Sequence, residues 1–251
     1  MDSLTLILFL LATAVGSYVQ SVAGFAMGMI IIAVVVGGGL LDVPVITAVV
    51  SLLSLVNIVL ALRGHGHHLA RPVFFWMALG LLPAVAVGVW LLEHLDARAQ
   101  WLLELLLGAF IVTGSLSMMI RPRLRARISP PWACFVAGFS GGLLGGMFSA
   151  SGPVMGWFNY RQPLTVAQIR TTLLASFALT TTFRTLVVGY AGGLTREVWL
   201  LCLIGLPVVL AGTWLGRGFP PPVAEITLKR LAFGLLVLMG CWSMARALLR
   251  P

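Results

Sequence analysis

Charge is scarce in this chain, and acidic charge is the scarcest kind. Aspartate and glutamate number seven among 251 residues, and charged residues of all kinds make up 9%, against about 25% in ordinary soluble domains. So few carboxylates leave little from which to build an acid/base site. No spaced Ser/His/Asp set, paired carboxylates or His-Glu-x-x-His falls within the apolar stretches, so an enzyme is not expected. The same shortage speaks against a membrane-embedded metal-ion permease. Cysteine is nearly missing too: Cys134, Cys202 and Cys241 each lie inside an apolar segment with no CxxC spacing, which fits small buried hydrophobes rather than disulfides or metal ligands. His65, His67 and His68 cluster without a carboxylate or cysteine beside them and read as a solvated loop. No metal and no cofactor is expected. Although the net charge is +9, there is no continuous basic face with interleaved aromatics, which excludes nucleic acid as a partner. Met1-Asp2-Ser3 lacks the basic start of a cleavable signal peptide, so the apolar run that follows is read as retained.

What fills the chain instead is apolar: 60% hydrophobic residues and a mean hydropathy of +1.05. Apolar runs of membrane-spanning length fall at about 4–41, 44–62, 73–92, 101–120, 132–160, 164–189, 197–215 and 228–249. The basic residues sit at the ends of these runs, the pattern of topology-setting positive charge. The expected fold is an all-α, polytopic protein of the inner membrane, with lipid as its solvent and almost no extramembrane domain.

Between the fourth and fifth runs, Arg121-Pro122-Arg123-Leu124-Arg125-Ala126-Arg127 reads as a cytoplasmic linker (121–131) between an N-terminal half (1–120) and a C-terminal half (132–251). The halves share one template. Pro83-x4-Gly88-x-Trp90-Leu91 recurs as Pro207-x4-Gly212-x-Trp214-Leu215, and Gly108, Gly114, Ser117 and Met118 recur as Gly234, Gly240, Ser243 and Met244. Arg63 matches Arg184 in the same way. A duplicated half is the expected build of a secondary transporter. Topology stays open at this level. If every run crosses once, nine Lys/Arg fall inside and five outside; if the first run of each half returns to its own side, the halves are inverted and the count is ten against four. A 29-residue run reaches roughly 43 Å as a helix, enough for one broken crossing or a re-entrant hairpin.

Residues 138–156 carry seven glycines and Pro153 in an otherwise apolar run, and glycine and proline are poor helix formers. The segment is therefore expected to be broken, with freed backbone groups turned to a wet cavity. Its N-terminal counterpart is Gln20-Ser21-Val22-Ala23-Gly24-Phe25-Ala26-Met27-Gly28. The sequence Phe139-Ser140-Gly141-Gly142-Leu143-Leu144-Gly145-Gly146-Met147-Phe148, followed by Ser151-Gly152-Pro153, resembles the signature of the TauE/SafE sulfite exporter family, also called the toluenesulfonate uptake permeases. Gln20-Ser21 to Gly24-Phe25 is similar to that family's first-half variant. Position 149 is serine where the family often has glycine, and the first-half copy lacks the Gly-Gly-Pro ending. The resemblance covers essentially the whole chain. It implies transport, most naturally export, of small sulfur-containing or organic anions such as sulfite or sulfoacetate.

Candidate site residues follow from these segments. An anion held by backbone amides at a half-helix N-terminus needs no full positive charge, and Pro153 suits the first turn of such a helix. Ser140, Ser149 and Ser151 offer hydroxyls beside Gly145, Gly146 and Gly152; close helix packing through Gly138/Gly142, Gly141/Gly145 and Gly142/Gly146 is the structural alternative. From the first half come Gln20, Ser21, Gly24 and Gly28, while Ser51, Ser54 and Asn57 are further polar residues at membrane depth, Asn57 reading as an interhelical hydrogen bond. Thr172, Ser176, Thr180 and Arg184 share one helical face, with Thr171, Thr181 and Thr182 beside them. That face either lines the anion path, with Arg184 as its charge, or glues helices together. Arg170 reads as an interface anchor, and Glu104 as interfacial, with proton coupling as its alternative. The expected function is a secondary carrier of small anions, in which broken segments of both halves meet near mid-membrane; an anion channel or a metal-ion permease is the alternative. A homo-oligomer is possible on this reading.

Overall fold

The computed structural model describes residues 3–23, 27–62, 68–119 and 124–219, together with short stretches between 234 and 248. Its elements are helices throughout: α1 (Ser3–Ala23), α2 (Met27–Val35), α3 (Val43–Leu62), α4 (Arg71–Arg98), α5 (Gln100–Met119), α6 (Pro131–Phe148), α7 (Gly152–Tyr160), α8 (Val166–Tyr190) and α9 (Arg196–Gly218). Seven of them are long and apolar enough to cross a membrane. The other two, α2 and α7, have nine residues each, or about 13 Å, less than half of a ~30 Å hydrocarbon core. Trp101, Trp132 and Trp199 stand exposed in the first turn of α5, α6 and α9, where an indole favours the lipid–water interface.

The glycine-rich segment is broken as expected, but after most of its glycines rather than at them. Helix α6 runs unbroken through Gly138, Gly141, Gly142, Gly145 and Gly146, and the chain leaves helical geometry only at Ser149–Ser151. The glycines are used for close approach instead. Gly142 lies so near α4 that a methyl built on it would stand 2.6 Å from the Leu81 carbonyl oxygen, and Gly138 and Gly146 meet the Met77 and Val85 carbonyls in the same way. Gly80 and Gly88 of α4 answer by approaching the Phe135 and Leu143 carbonyls of α6. Small residues every four positions on both helices let two parallel backbones touch, and this contact offsets the helix cost of each glycine, about 1 kcal/mol.

The other glycine face of α6 is covered by the returning chain. A methyl on Gly141 would lie 2.6 Å from Met155 Cγ, and one on Gly145 would lie 3.3 Å from Ser151 Cβ. Residue 141 opposite 155 and 145 opposite 151 make α6 and α7 an antiparallel hairpin. Its foot is tied where it began: the Ser129 N–H donates to Gln162 Oε1 at 2.9 Å, Gln162 Nε2 donates to Ser129 Oγ at 2.9 Å, and the Arg125 N–H donates to the Arg161 carbonyl at 2.8 Å. The first half is built alike. Gly16 of α1 abuts Met27 at the start of α2, and the loop after α2 (Val36 to Asp42) shares a cavity with Glu197 in the first turn of α9. Since α9 runs parallel to α1, with Gly205, Gly212 and Gly216 against Phe9, Ser17 and Ser21, Glu197 marks the face at which α1 begins.

Each hairpin therefore returns to its own side, which closes the choice the charge count leaves open. Helices α3, α4 and α5 then cross in turn, so α1 and α6 start on opposite faces. Of the described basic residues, Arg71, Arg125, Arg127, Arg161, Arg170 and Arg217 lie toward one face; Arg98 and Arg196 lie toward the other, with the described acids Asp42, Glu93, Asp96, Glu104 and Glu197. By the positive-inside rule, the first face is the one expected in the cytoplasm. The last apolar run falls largely outside the described residues.

Candidate functional site

The tips of the two hairpins meet in the middle of the bundle. A methyl on Gly28, in the first turn of α2, would stand 2.8 Å from the Ser149 carbonyl oxygen and 3.7 Å from Ala150 Cβ. Around this junction is a cavity of about 40 Å³, walled by both tips and by the middles of α3 (Ser54, Ile58) and α8 (Phe177, Thr180, Thr181). The tips contribute Gln20, Gly28 and Met29 from one hairpin and Ser149 to Pro153 from the other. The wall combines hydroxyl, carboxamide and backbone groups with the apolar side chains of Met29, Ile58, Pro153 and Phe177.

Electrostatics at the cavity come from backbone. Both short helices open on it, so two positive helix ends converge. In α7 the first intrahelical bond is Met155 N–H to the Ser151 carbonyl (3.2 Å), no side chain caps the terminus, and proline sits in the first turn; the N–H groups ahead of that bond have no intrahelical partner. In α2 the Met27 N–H donates to Gln20 Oε1 at 3.2 Å. Gln20 is held by a chain of amides: its Nε2 donates to Asn57 Oδ1 at 3.0 Å, and Asn57 Nδ2 donates to Thr213 Oγ1 at 2.7 Å. Asn57 is thus the interhelical tie its sequence position suggests.

Arg184 is 1% exposed, the largest fully buried side chain in the protein's described part. It does not border the cavity. Its Nε donates to the Gly146 carbonyl (2.8 Å), Nη1 to the Thr47 carbonyl (3.0 Å) and to Ser51 Oγ (2.9 Å), and Nη2 to Thr47 Oγ1 (2.7 Å). Every one of these partners is a neutral oxygen. Ser51 Oγ in turn lies 2.8 Å from Ser149 Oγ, so the charge is two hydroxyls away from the cavity.

The structure brings together Gln20, Gly28, Ser54, Ser149, Ser151, Gly152, Pro153, Thr180 and Thr181 of the residues singled out in the sequence. Gly145 stands just behind them against Thr180 and Ser151, and Gly146 supplies the carbonyl that Arg184 grips. Ser21 is buried one residue from Gln20, donating to the Ser17 carbonyl at 2.8 Å. Gly24 lies outside the described residues, as do His65 and His67. Ser140 is half-buried on α6, two turns before the tip and outside the cavity wall. The hydroxyl stripe is only in part a wall. Thr172 accepts from the Ala70 N–H (3.1 Å), and Ser176 and Thr180 donate to the carbonyls one turn back (2.8 Å each). Arg170 donates to the Ser21 carbonyl at 3.0 Å, tying α8 to the end of α1 rather than anchoring to lipid alone. Glu104 is 5% exposed and borders a separate cavity of about 170 Å³, shared with the loop after α2 and with Gln100 and Glu197 in the first turns of α5 and α9. Met29, Ile58, Ala150 and Phe177 carry no polar signal, and only the fold could place them at the site. Among the described residues no His, Cys, Asp and Glu group has metal-binding proximity.

Comparison with known proteins places the chain in a family. The family described as "Sulfite exporter TauE/SafE" matches residues 8–243. A "Probable sulfite/organosulfonate exporter TauE" of Cupriavidus necator is 43% identical over 233 residues, covering 93% of this chain and 91% of the relative. No solved structure matches the chain at a significant level. A multi-pass bacterial inner-membrane transporter by its helices and by its relatives alike, the chain belongs to the TauE/SafE sulfite exporter family.

Proposed function

We propose that the protein is a carrier that exports small sulfur oxoanions, sulfite or organosulfonates, and that the anion is held in the cavity between the hairpin tips. The observation that carries this reading is the convergence of two short-helix N-termini, α2 and α7, on one buried cavity. Transporters with broken helices direct such ends at anionic groups. A cavity of about 40 Å³ has room for about three water-sized centres, the scale of a three-oxygen sulfur group. The apolar lining of Met29, Ile58 and Phe177 would accept an organic substituent, and the anion leaves chemically unchanged. Export of a monoanion from a negative-inside cell gains about 2.3 kcal/mol per 100 mV, roughly a fiftyfold gradient with no coupled ion.

The test uses proteoliposomes preloaded with labelled sulfite at equal pH on both faces. A valinomycin-set potential, negative inside, is expected to speed efflux, and Gly152→Leu and Gly145→Leu are expected to abolish it while the protein still inserts. Undiminished efflux in both variants would overturn the site. Efflux that ignores voltage but follows a pH gradient would replace uniport by electroneutral proton coupling.

A further inference from the structure

Ser149 has φ 51°, the one non-glycine residue with positive φ among the described residues. It follows the last turn of α6, its N–H donating to the Gly145 carbonyl at 2.9 Å, at a left-handed helix end that glycine fills without strain. A serine accepts a conformational cost there that glycine would not. What serine adds is a hydroxyl, and that hydroxyl reaches Ser51 of the other half at 2.8 Å from the wall of the cavity.

The proton inventory of this contact is restrictive. Arg184 cannot give up its proton, so Ser51 Oγ must accept from Nη1. Ser51 then has a single proton and two acceptors for it, the Thr47 carbonyl at 2.9 Å and Ser149 Oγ at 2.8 Å. If the proton goes to Thr47, Ser149 must donate to Ser51 and shows only lone pairs to the cavity. If it goes to Ser149, the Ser149 proton is released toward the cavity, and the Thr47 carbonyl is still satisfied by Arg184 at 3.0 Å. The first arrangement leaves no group unpaired in the empty cavity; the second frees the Ser149 O–H for a ligand, so a bound anion favours it. In that arrangement each bond polarises the next, from guanidinium to Ser51 to Ser149.

We propose that Arg184, Ser51 and Ser149 form a hydroxyl relay that presents the arginine's charge to the bound oxoanion without contact, and that Ser149 is a specificity-determining residue of the site. The inference rests on the cavity being the substrate site, as argued above. The guanidinium, fixed by Gly146 and Thr47, cannot move onto the anion and trap it. One directional donor at the end of a relay binds an oxygen-rich anion firmly enough to select it and weakly enough to let it leave.

The experiment measures concentration dependence of labelled sulfite transport in proteoliposomes for Ser149→Gly, Ser149→Ala, Ser51→Ala, the Ser51→Ala/Ser149→Gly double variant and Gly152→Leu. Ser149→Gly is expected to melt at the same or a higher temperature, since glycine relieves the backbone, yet to raise KM about tenfold with little change in maximal rate. Ser149→Ala is expected to match it in KM while melting lower. The double variant is expected to cost no more than the worse single one, because either change cuts the same relay. KM within twofold of the parent in Ser149→Gly and Ser51→Ala, or strictly additive effects in the double variant, would overturn the relay. Gly152→Leu separates the two levels: if it transports normally, the site reading fails and takes the relay with it; if it is inactive while the serine variants are normal, the relay alone fails.

Discussion

Gln20 does at the first hairpin what Pro153 and an uncapped turn do at the second: it decides how the N-terminus of a short helix meets the cavity. Its carboxamide accepts from Met27 and donates to Asn57, and both side chains are buried. Gln20→Leu removes the acceptor for Met27 and leaves Asn57 Oδ1 without its donor. With about 1–3 kcal/mol lost for a stranded buried polar group, the expected outcome is a clear drop in melting temperature in detergent, together with weaker sulfite transport. An unchanged melting curve would mean that the amide chain is not what seats α2. Single residues were also where sequence reading was most uneven. Polar side chains at membrane depth were legible because they are rare there, and six of those named, Gln20, Ser54, Ser149, Ser151, Thr180 and Thr181, line one cavity. The apolar wall, Met29, Ile58 and Phe177, was not, because an apolar residue in an apolar run carries no mark of which way it faces.

At the level of elements, the glycine-rich segment does break, but at Ser149–Ser151, while the glycines from 138 to 146 serve packing. Helix propensity summed over residues 138–148 argues against a helix, but propensity says nothing of a partner, and α4 carries the matching Gly80 and Gly88 some sixty residues earlier. The real break needed only Ser149–Ser151. The same logic sorts substitutions. Gly142→Leu would push a side chain into the Leu81 carbonyl, against backbone that cannot yield, whereas a methyl on Gly218 meets nothing within 4 Å. Gly142→Leu is expected to lose the monodisperse peak in size-exclusion chromatography, and Gly218→Ala to keep it. Equal profiles would show that the α4–α6 seam tolerates separation.

For the whole molecule, the two returning hairpins fix which loops share a face, something the counts of ten against four and nine against five did not decide from sequence. A cysteine at Leu40, in the loop after α2, is expected to react with a membrane-impermeant maleimide from outside intact cells, and one at Arg127 only after the membrane is opened, both in a background with Cys134, Cys202 and Cys241 replaced. The reverse pattern would invert the protein, and labelling of both from one side would contradict the hairpins. The seams carry a further consequence. Helix α4 lies along α6, and α9 lies along α1, so each hairpin is held by a helix from the opposite half of the chain. The natural rigid bodies are therefore not the two halves of the sequence but two chimaeras, one of α1, α2 and α9 and one of α4, α6 and α7. Any rocking that exposes the cavity first to one face and then to the other has to part them where the tips touch, at Gly28 and Ser149, and the Ser51–Ser149 hydrogen bond is one of the first contacts such a motion would strain.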